Sequence, residues 1–203
     1  MPKHPRLRFG LVSGDMKSFE PPPDPLAYLL TWPTYGTWLP GDERGWVEYR
    51  HGFQLPHLMK ELESAALMTE DACLLDDEQR RLVEKTIADH CAIRGWILHA
   101  VNCRTNHLHV VVTADLHPKK VISQFKAWCT RRLKELEAKR LSTNPKRQRG
   151  STGSSATNPN RQRGKPGEPP AIRENWWVER GSGRYLNDQA SLYAAILYVR
   201  DGQ

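Results

Sequence analysis

A histidine pair, two tyrosines and a C-terminal Asp and Gln are this chain's candidates for metal-dependent phosphoryl chemistry. His107-Leu108-His109 opens a run that continues Val110-Val111-Val112. On a strand, residues two apart share a face, so both imidazoles project together while Leu108 turns to the core. Two adjacent imidazoles are a ready pair of metal ligands, although the pattern alone also fits two solvent-facing or hydrogen-bonded histidines. An ion acting on phosphates needs a third protein ligand and open positions for substrate oxygens, and the C-terminus offers Asp201 and Gln203. Magnesium prefers oxygen donors, so a histidine pair leans toward manganese or a mixed site. Covalent phosphoryl chemistry also needs a nucleophile, and Tyr193 and Tyr198 are the candidates. They flank, on opposite sides, the apolar stripe Leu192, Ala195, Ile196 and Val199. Helical periodicity does not choose between them, and a packed ring with a wet hydroxyl fits either.

The elements that must position these groups follow from periodicity. Leu26–Trp32 (LAYLLTW) predicts a buried strand and Pro33–Asp42 (PTYGTWLPGD) an ordered aromatic loop, while residues 43–75 lack a clear period and are expected to be a long connection. Asp76–Arg94 predicts a helix, with acids in its first turn and Gly95 as its stop. Trp96–Arg104 and His107–Ala114 predict a hairpin across Thr105-Asn106. Pro118–Lys139 predicts a second amphipathic helix. Asn175–Val178 and Arg184–Leu186 read as short strand pieces, and Asp188–Arg200 as a last helix. This order points to an α+β fold: a ferredoxin-like antiparallel sheet with helices packed on one face. It forms one domain over residues 26–203, preceded by an irregular proline-rich arm over 1–25.

Charge and composition bound the function classes. The chain has 203 residues and a net charge of +7, and its seven Trp, six Tyr and four Phe are too many for a disordered protein. Six of the seven net positive charges lie between Leu141 and Lys165, where TNPKRQRG and TNPNRQRG recur around a Ser- and Gly-rich spacer. This stretch, about 141–170, is expected to be a disordered basic insertion. A pI argument for nucleic-acid binding would therefore rest on one loop, because the body is nearly neutral. The four cysteines form no CxxC pair and are expected to be reduced residues of the core or its boundary. No apolar run is long enough to span a membrane and the N-terminus has no secretory pattern, so a cytoplasmic protein is expected.

The opening strand with TWPTYGTWLPGDERG, the block GWILHAVNCRTNHLHVV and the terminal YAAILYVRDGQ together resemble the HUH-type single-tyrosine transposases of small bacterial insertion sequences, specifically the REP-associated group. The resemblance covers most of residues 26–203 outside the insertion. It implies a homodimer that cleaves and rejoins single-stranded DNA near hairpins through a 5′-phosphotyrosine intermediate. His107 and His109 would bind Mg²⁺ or Mn²⁺, and Tyr198, by its position in the terminal motif, would be the nucleophile. Gln203 would be the third ligand one residue later than the family spacing, with Asp201 as its competitor. For grip on DNA, Lys119, Lys120, Lys126, Arg131 and Arg132 of the second helix are candidate phosphate contacts. Trp38, Trp46 and Trp128 are candidate stacking platforms, though Trp128 reads better as a core aromatic. The alternative function is a catalytically idle single-stranded nucleic-acid binder of the same fold. A related replication or mobilisation endonuclease ranks lower, because the length leaves no room for a helicase.

Overall fold

The computed structural model describes residues 25–48, 51–143 and 172–201. The proposed N-terminal arm, apart from its last residue, and most of the basic insertion lie outside the described residues. Strand β1 (Ala27–Pro33) lies inside a four-stranded antiparallel sheet ordered β4 (Ile97–Cys103), β5 (His107–Thr113), β1, β6 (Ser182–Leu186). Helices α2 (Asp77–Arg94), α3 (Pro118–Thr143) and α4 (Gln189–Asp201) pack on it. The α+β expectation therefore holds. Among the described residues no helix is long and apolar enough to cross a membrane.

The sheet is covered on both faces, and this decides where the site can be. Tyr28, Leu30 and Trp32 of β1 and Leu108, Val110 and Val112 of β5 face α2 and α3. They bury Val83, Ile87, Cys91, Val121, Phe125 and Leu133. The alternate residues Ala27, Leu29, Val111, Ala100 and Leu186 form a second, smaller core with Leu192, Ala195 and Val199 of α4. The one-face arrangement expected from sequence thus describes α2 and α3, while α4 takes the opposite face. Its narrow stripe suits the small patch that β1, β4, β5 and β6 leave there.

Local signals explain the element ends. Asp76 Oδ1 accepts from Gln79 N at 2.9 Å and Gln79 Oε1 accepts from Asp76 N at 2.9 Å, a reciprocal cap that starts α2. Gly95 ends it at φ 69°, a left-handed conformation open to glycine without strain. The chain then turns directly into β4. Arg104 N donates to His107 O at 2.9 Å, closing the hairpin over Thr105-Asn106. Helix α3 runs to Thr143, past the expected end at Lys139 and into the start of the proposed insertion.

Residues 43–75 correct the expectation of a long connection. They contain a small hairpin, β2 (Trp46–Glu48) and β3 (Gly52–Gln54), and helix α1 (Leu58–Ala66). The strands are three residues each, too short to show a period. No residue of α1 is buried, so its apolar residues mark no core stripe. The segment Asn175–Val178 forms only a bridge, Trp177 with Thr34, rather than a strand. All four cysteines are free and buried.

Candidate phosphate-chemistry site at the open end of the sheet

One row of residues across the sheet builds the site. In register, His109 lies opposite Thr31 of β1 on one side and Asn102 of β4 on the other, and His107 lies opposite Pro33. All of these point to the α4 face, because each is in step with Val111, Leu29 or Ala100 beneath that helix. Toward β5's start the face changes from apolar to polar, at the place where α4 ends. The two imidazole rings stand edge to face with centroids 4.9 Å apart.

Neighbouring groups fix the ring orientations. Thr31 Oγ1 and His109 Nδ1 are 2.8 Å apart. His107 Nδ1 donates to Asn106 Oδ1 at 2.7 Å, which puts that ring's lone pair on Nε2. His109 takes the matching tautomer when its Nδ1–H donates to the Thr31 hydroxyl. Backing of this kind orients metal-binding histidines. Burial, then the positive potential of His107 and Arg104, pushes the His109 imidazole down to about 4. It is therefore neutral at pH 7, the form in which imidazole binds a cation.

Tyr198 reaches this row from α4. Its ring stands edge to face with that of His109 at 5.5 Å, and the residue is 47% exposed. The chain is held there by Asn102, whose Nδ2 donates to Val199 O at 2.9 Å. Val199 carries one of the four carbonyls at the helix end that lack an intrahelical partner. The sheet row that holds His109 therefore also holds the turn carrying Tyr198. Tyr193, 64% exposed, lies more than a turn earlier on α4. The structure brings His107, His109 and Tyr198 together. Asp201, an exposed residue, ends α4 one turn after Tyr198, and Gln203 lies outside the described residues. Among the described residues no three His, Cys, Asp or Glu side chains form a group that could hold a metal. Burial also pushes the Cys73 and Cys91 thiols up to about 11, which removes them as competing nucleophiles.

The loop after β1 walls the site on its other side. Asn106 O accepts from Thr34 N (2.8 Å), Thr34 Oγ1 (3.0 Å) and Thr37 Oγ1 (3.1 Å), so the loop is tied to the hairpin turn that positions His107. Arg44 Nε and Nη2 each donate to Asp42 at 2.7 Å, and Nη2 also donates to Thr37 O at 2.9 Å. That guanidinium holds the Asp42 carboxyl below the usual range. Thr31, Thr37, Trp38, Arg44, Phe53 and the two histidines line a cleft of about 450 Å³. A second cleft of about 400 Å³, at the β6–α4 junction around Arg184 and Asp188, contains none of the sequence-nominated residues. Thr31, Asn102 and Arg44 were not singled out from sequence. Thr31 and Asn102 could have been, as the polar positions in step with apolar ones on strands flanking the histidines.

The basic residues nominated on α3 are placed differently. That helix packs on the sheet face opposite the histidines, so Lys119, Lys120, Arg131 and Arg132 do not line the cleft. Arg131 and Arg132 both pair with Glu135, at 3.4 and 2.9 Å. Lys126 is engaged within the fold. Its Nζ donates to the carbonyls of Val178, Glu179 and Arg180 at 2.8, 3.2 and 2.9 Å. Burial pulls its ammonium down to about 8. Among the tryptophans, Trp38 lies in the cleft wall. Trp46 starts β2, and its buried indole nitrogen has no partner among the described residues. Trp128 is 41% exposed between His90 and Arg131, a boundary residue rather than a core one.

No family model matches the chain, and no curated protein and no solved structure matches it either.

Proposed function

We propose that this chain is a metal-dependent tyrosine transposase-type enzyme that cleaves and rejoins single-stranded DNA near hairpins. The observation that carries the reading is the convergence of His107, His109 and Tyr198 on one sheet face, with Tyr198 and His109 ring centroids 5.5 Å apart. The resemblance in the sequence supplies the reaction class. The Tyr198 oxygen attacks the scissile phosphorus, a tyrosyl O–P bond forms, and the P–O3′ bond breaks. The leaving strand departs as a 3′-hydroxyl, its oxygen taking up a proton. Attack by a 3′-hydroxyl reverses the exchange and releases the tyrosine.

Two imidazoles side by side, each oriented through its Nδ1, fit a divalent cation, and the family reading puts Mg²⁺ or Mn²⁺ there. Bound at His107 and His109, such an ion supplies Lewis-acid polarisation of the scissile phosphate. Gln203 or Asp201 would complete the protein ligands. The chain's own contribution is positional. Thr31 and Asn106 hold the histidine rings, and Asn102 holds the helix end that presents the phenol. A tyrosine of ordinary pKa near 10 is a weak nucleophile at pH 7, so placement and charge stabilisation must supply most of the rate.

A homodimer belongs to the same reading. The contact between Tyr198 and His109 of the same chain supports an active site assembled within one subunit. Mixing His107→Ala with Tyr198→Phe protein tests this, and activity regained in the mixture would show a shared site instead. The reading as a whole is tested by metal-dependent formation of a protein–DNA adduct. Binding of hairpin DNA without any adduct favours the idle-binder alternative.

A further inference from the structure

The cleft beside the histidines has a wall whose chemistry the phosphate reaction does not use. Trp38, in the loop after β1, and Phe53, in β3, are 42% and 63% exposed and line the same cleft. Both are held rather than loose. Trp38 Nε1 donates to Gly45 O at 2.7 Å. The Phe53 ring lies against Gly45, where a Cβ would meet ring carbons at 2.2 and 2.6 Å. Gly45 has φ 80°, so no other residue fits there without strain. One glycine thus lets both rings approach a single point of backbone. The Arg44 guanidinium carbon lies 6.0 Å from the Trp38 ring centroid, and Asp42 and Thr37 O fix the fork in place. Two held aromatic rings, a held guanidinium, two threonines and the two imidazoles line the cleft together.

We propose that this cleft is a subsite for one unpaired base of single-stranded DNA, with Trp38 and Phe53 as stacking surfaces and Arg44 at its rim. The inference rests on the proposed function for its choice of ligand, but it concerns binding and not cleavage. Three features commit it to a base. The volume of about 450 Å³ suits one nucleotide, not a helix or peptide. Stacking platforms of this kind take any base, since each has a π-face. The histidine pair lines the same cleft, which joins a base held here to the proposed site of phosphate chemistry. An occupied subsite would set which phosphate along an unpaired strand meets Tyr198.

The test compares two labelled probes of equal charge at fixed salt: an oligothymidylate of about 20 nucleotides and an abasic oligomer of the same length. Fluorescence anisotropy with the full chain and no added metal reads binding alone. Wild-type protein should prefer the base-bearing probe by about tenfold. Phe53→Ala and Trp38→Ala should each remove most of that preference and leave abasic binding unchanged. Trp38→Phe, which keeps a ring, should retain most of it. Phe53 is exposed enough that its truncation leaves the fold intact, so the inference does not depend on Trp38→Ala folding. Equal affinity of wild type for both probes, binding to neither, or a full preference in Phe53→Ala together with Trp38→Phe at wild-type level and Trp38→Ala unimpaired would each overturn it. Adduct formation is a separate readout: a chain that shows the base preference but never forms an adduct has lost the catalytic reading and kept the subsite.

Discussion

Thr31 is the residue whose replacement examines the site's construction most sharply. Its hydroxyl lies 2.8 Å from Nδ1 of His109, a residue only 7% exposed. Thr31→Val keeps the shape and removes the partner, so the buried Nδ1 of His109 loses its hydrogen bond. Leaving such a group unsatisfied costs about 1–3 kcal/mol. For a domain of this size that is a fall in Tm of roughly 2–4 °C per kcal/mol, so about 4–8 °C for a cost of about 2 kcal/mol. The same change releases the tautomer that presents Nε2. Loss of a partner behind a metal-binding histidine typically weakens the metal about 10–100-fold, so Mn²⁺ affinity should fall by that order. Urea unfolding followed by tryptophan fluorescence gives the first quantity, and calorimetric Mn²⁺ titration gives the second. Thr31→Ser, which keeps the hydroxyl, should preserve metal affinity. If Thr31→Val unfolds within about 0.3 kcal/mol of wild type and binds Mn²⁺ equally well, the hydroxyl does not hold His109 and the construction is wrong.

Further consequences follow from other contacts. His109 titrates near 4 in the fold and near 6.5 when unfolded. As pH falls below about 6.5 the unfolded chain takes up the proton first, so stability drops until about pH 4 and then levels. The loss reaches at most about 3 kcal/mol. Subtracting the urea stability of His109→Gln across pH 7.5 to 4 should isolate it, and parallel curves would contradict the burial. Lys126→Met should destabilise by about 1 kcal/mol, chiefly through the half-buried bond to the Val178 carbonyl, and leave DNA affinity unchanged. A drop in affinity without loss of stability would restore it as a phosphate contact. Asn102→Ala should speed hydrogen exchange at the end of α4 and lower adduct yield while α2 exchange is unaltered. Uniform exchange would show that Val199 needs no such anchor.

The parts of this molecule that were legible in the sequence are those that repeat a pattern. The hairpin across Thr105-Asn106 and the starts of α2, α3 and α4 fall within a residue or two of expectation, because alternation, caps and stripes recur over several turns. The projection of His107 and His109 to one face follows from strand geometry alone. What could not be read is which face α4 would cover, since an amphipathic stripe names an apolar partner without saying which. The β2–β3 hairpin and α1 were missed for lack of any repeating signal. The internal bonds of Lys126 are not legible either, because a lysine's spacing on a helix says nothing of the carbonyls that arrive some fifty residues later from Val178 to Arg180. Thr31 and Asn102 are legible as polar positions in step with apolar ones, but that they stand beside His109 comes only from the register.

The most direct measurement of the central claim is a covalent-trapping gel. Labelled hairpin DNA from the sequence flanking the gene is incubated with the protein and Mn²⁺, beside Tyr198→Phe, Tyr193→Phe and an EDTA control. The account predicts a protein–DNA adduct that persists in Tyr193→Phe and disappears in Tyr198→Phe and with EDTA. Binding without an adduct in any lane, or an adduct that survives Tyr198→Phe, would contradict it.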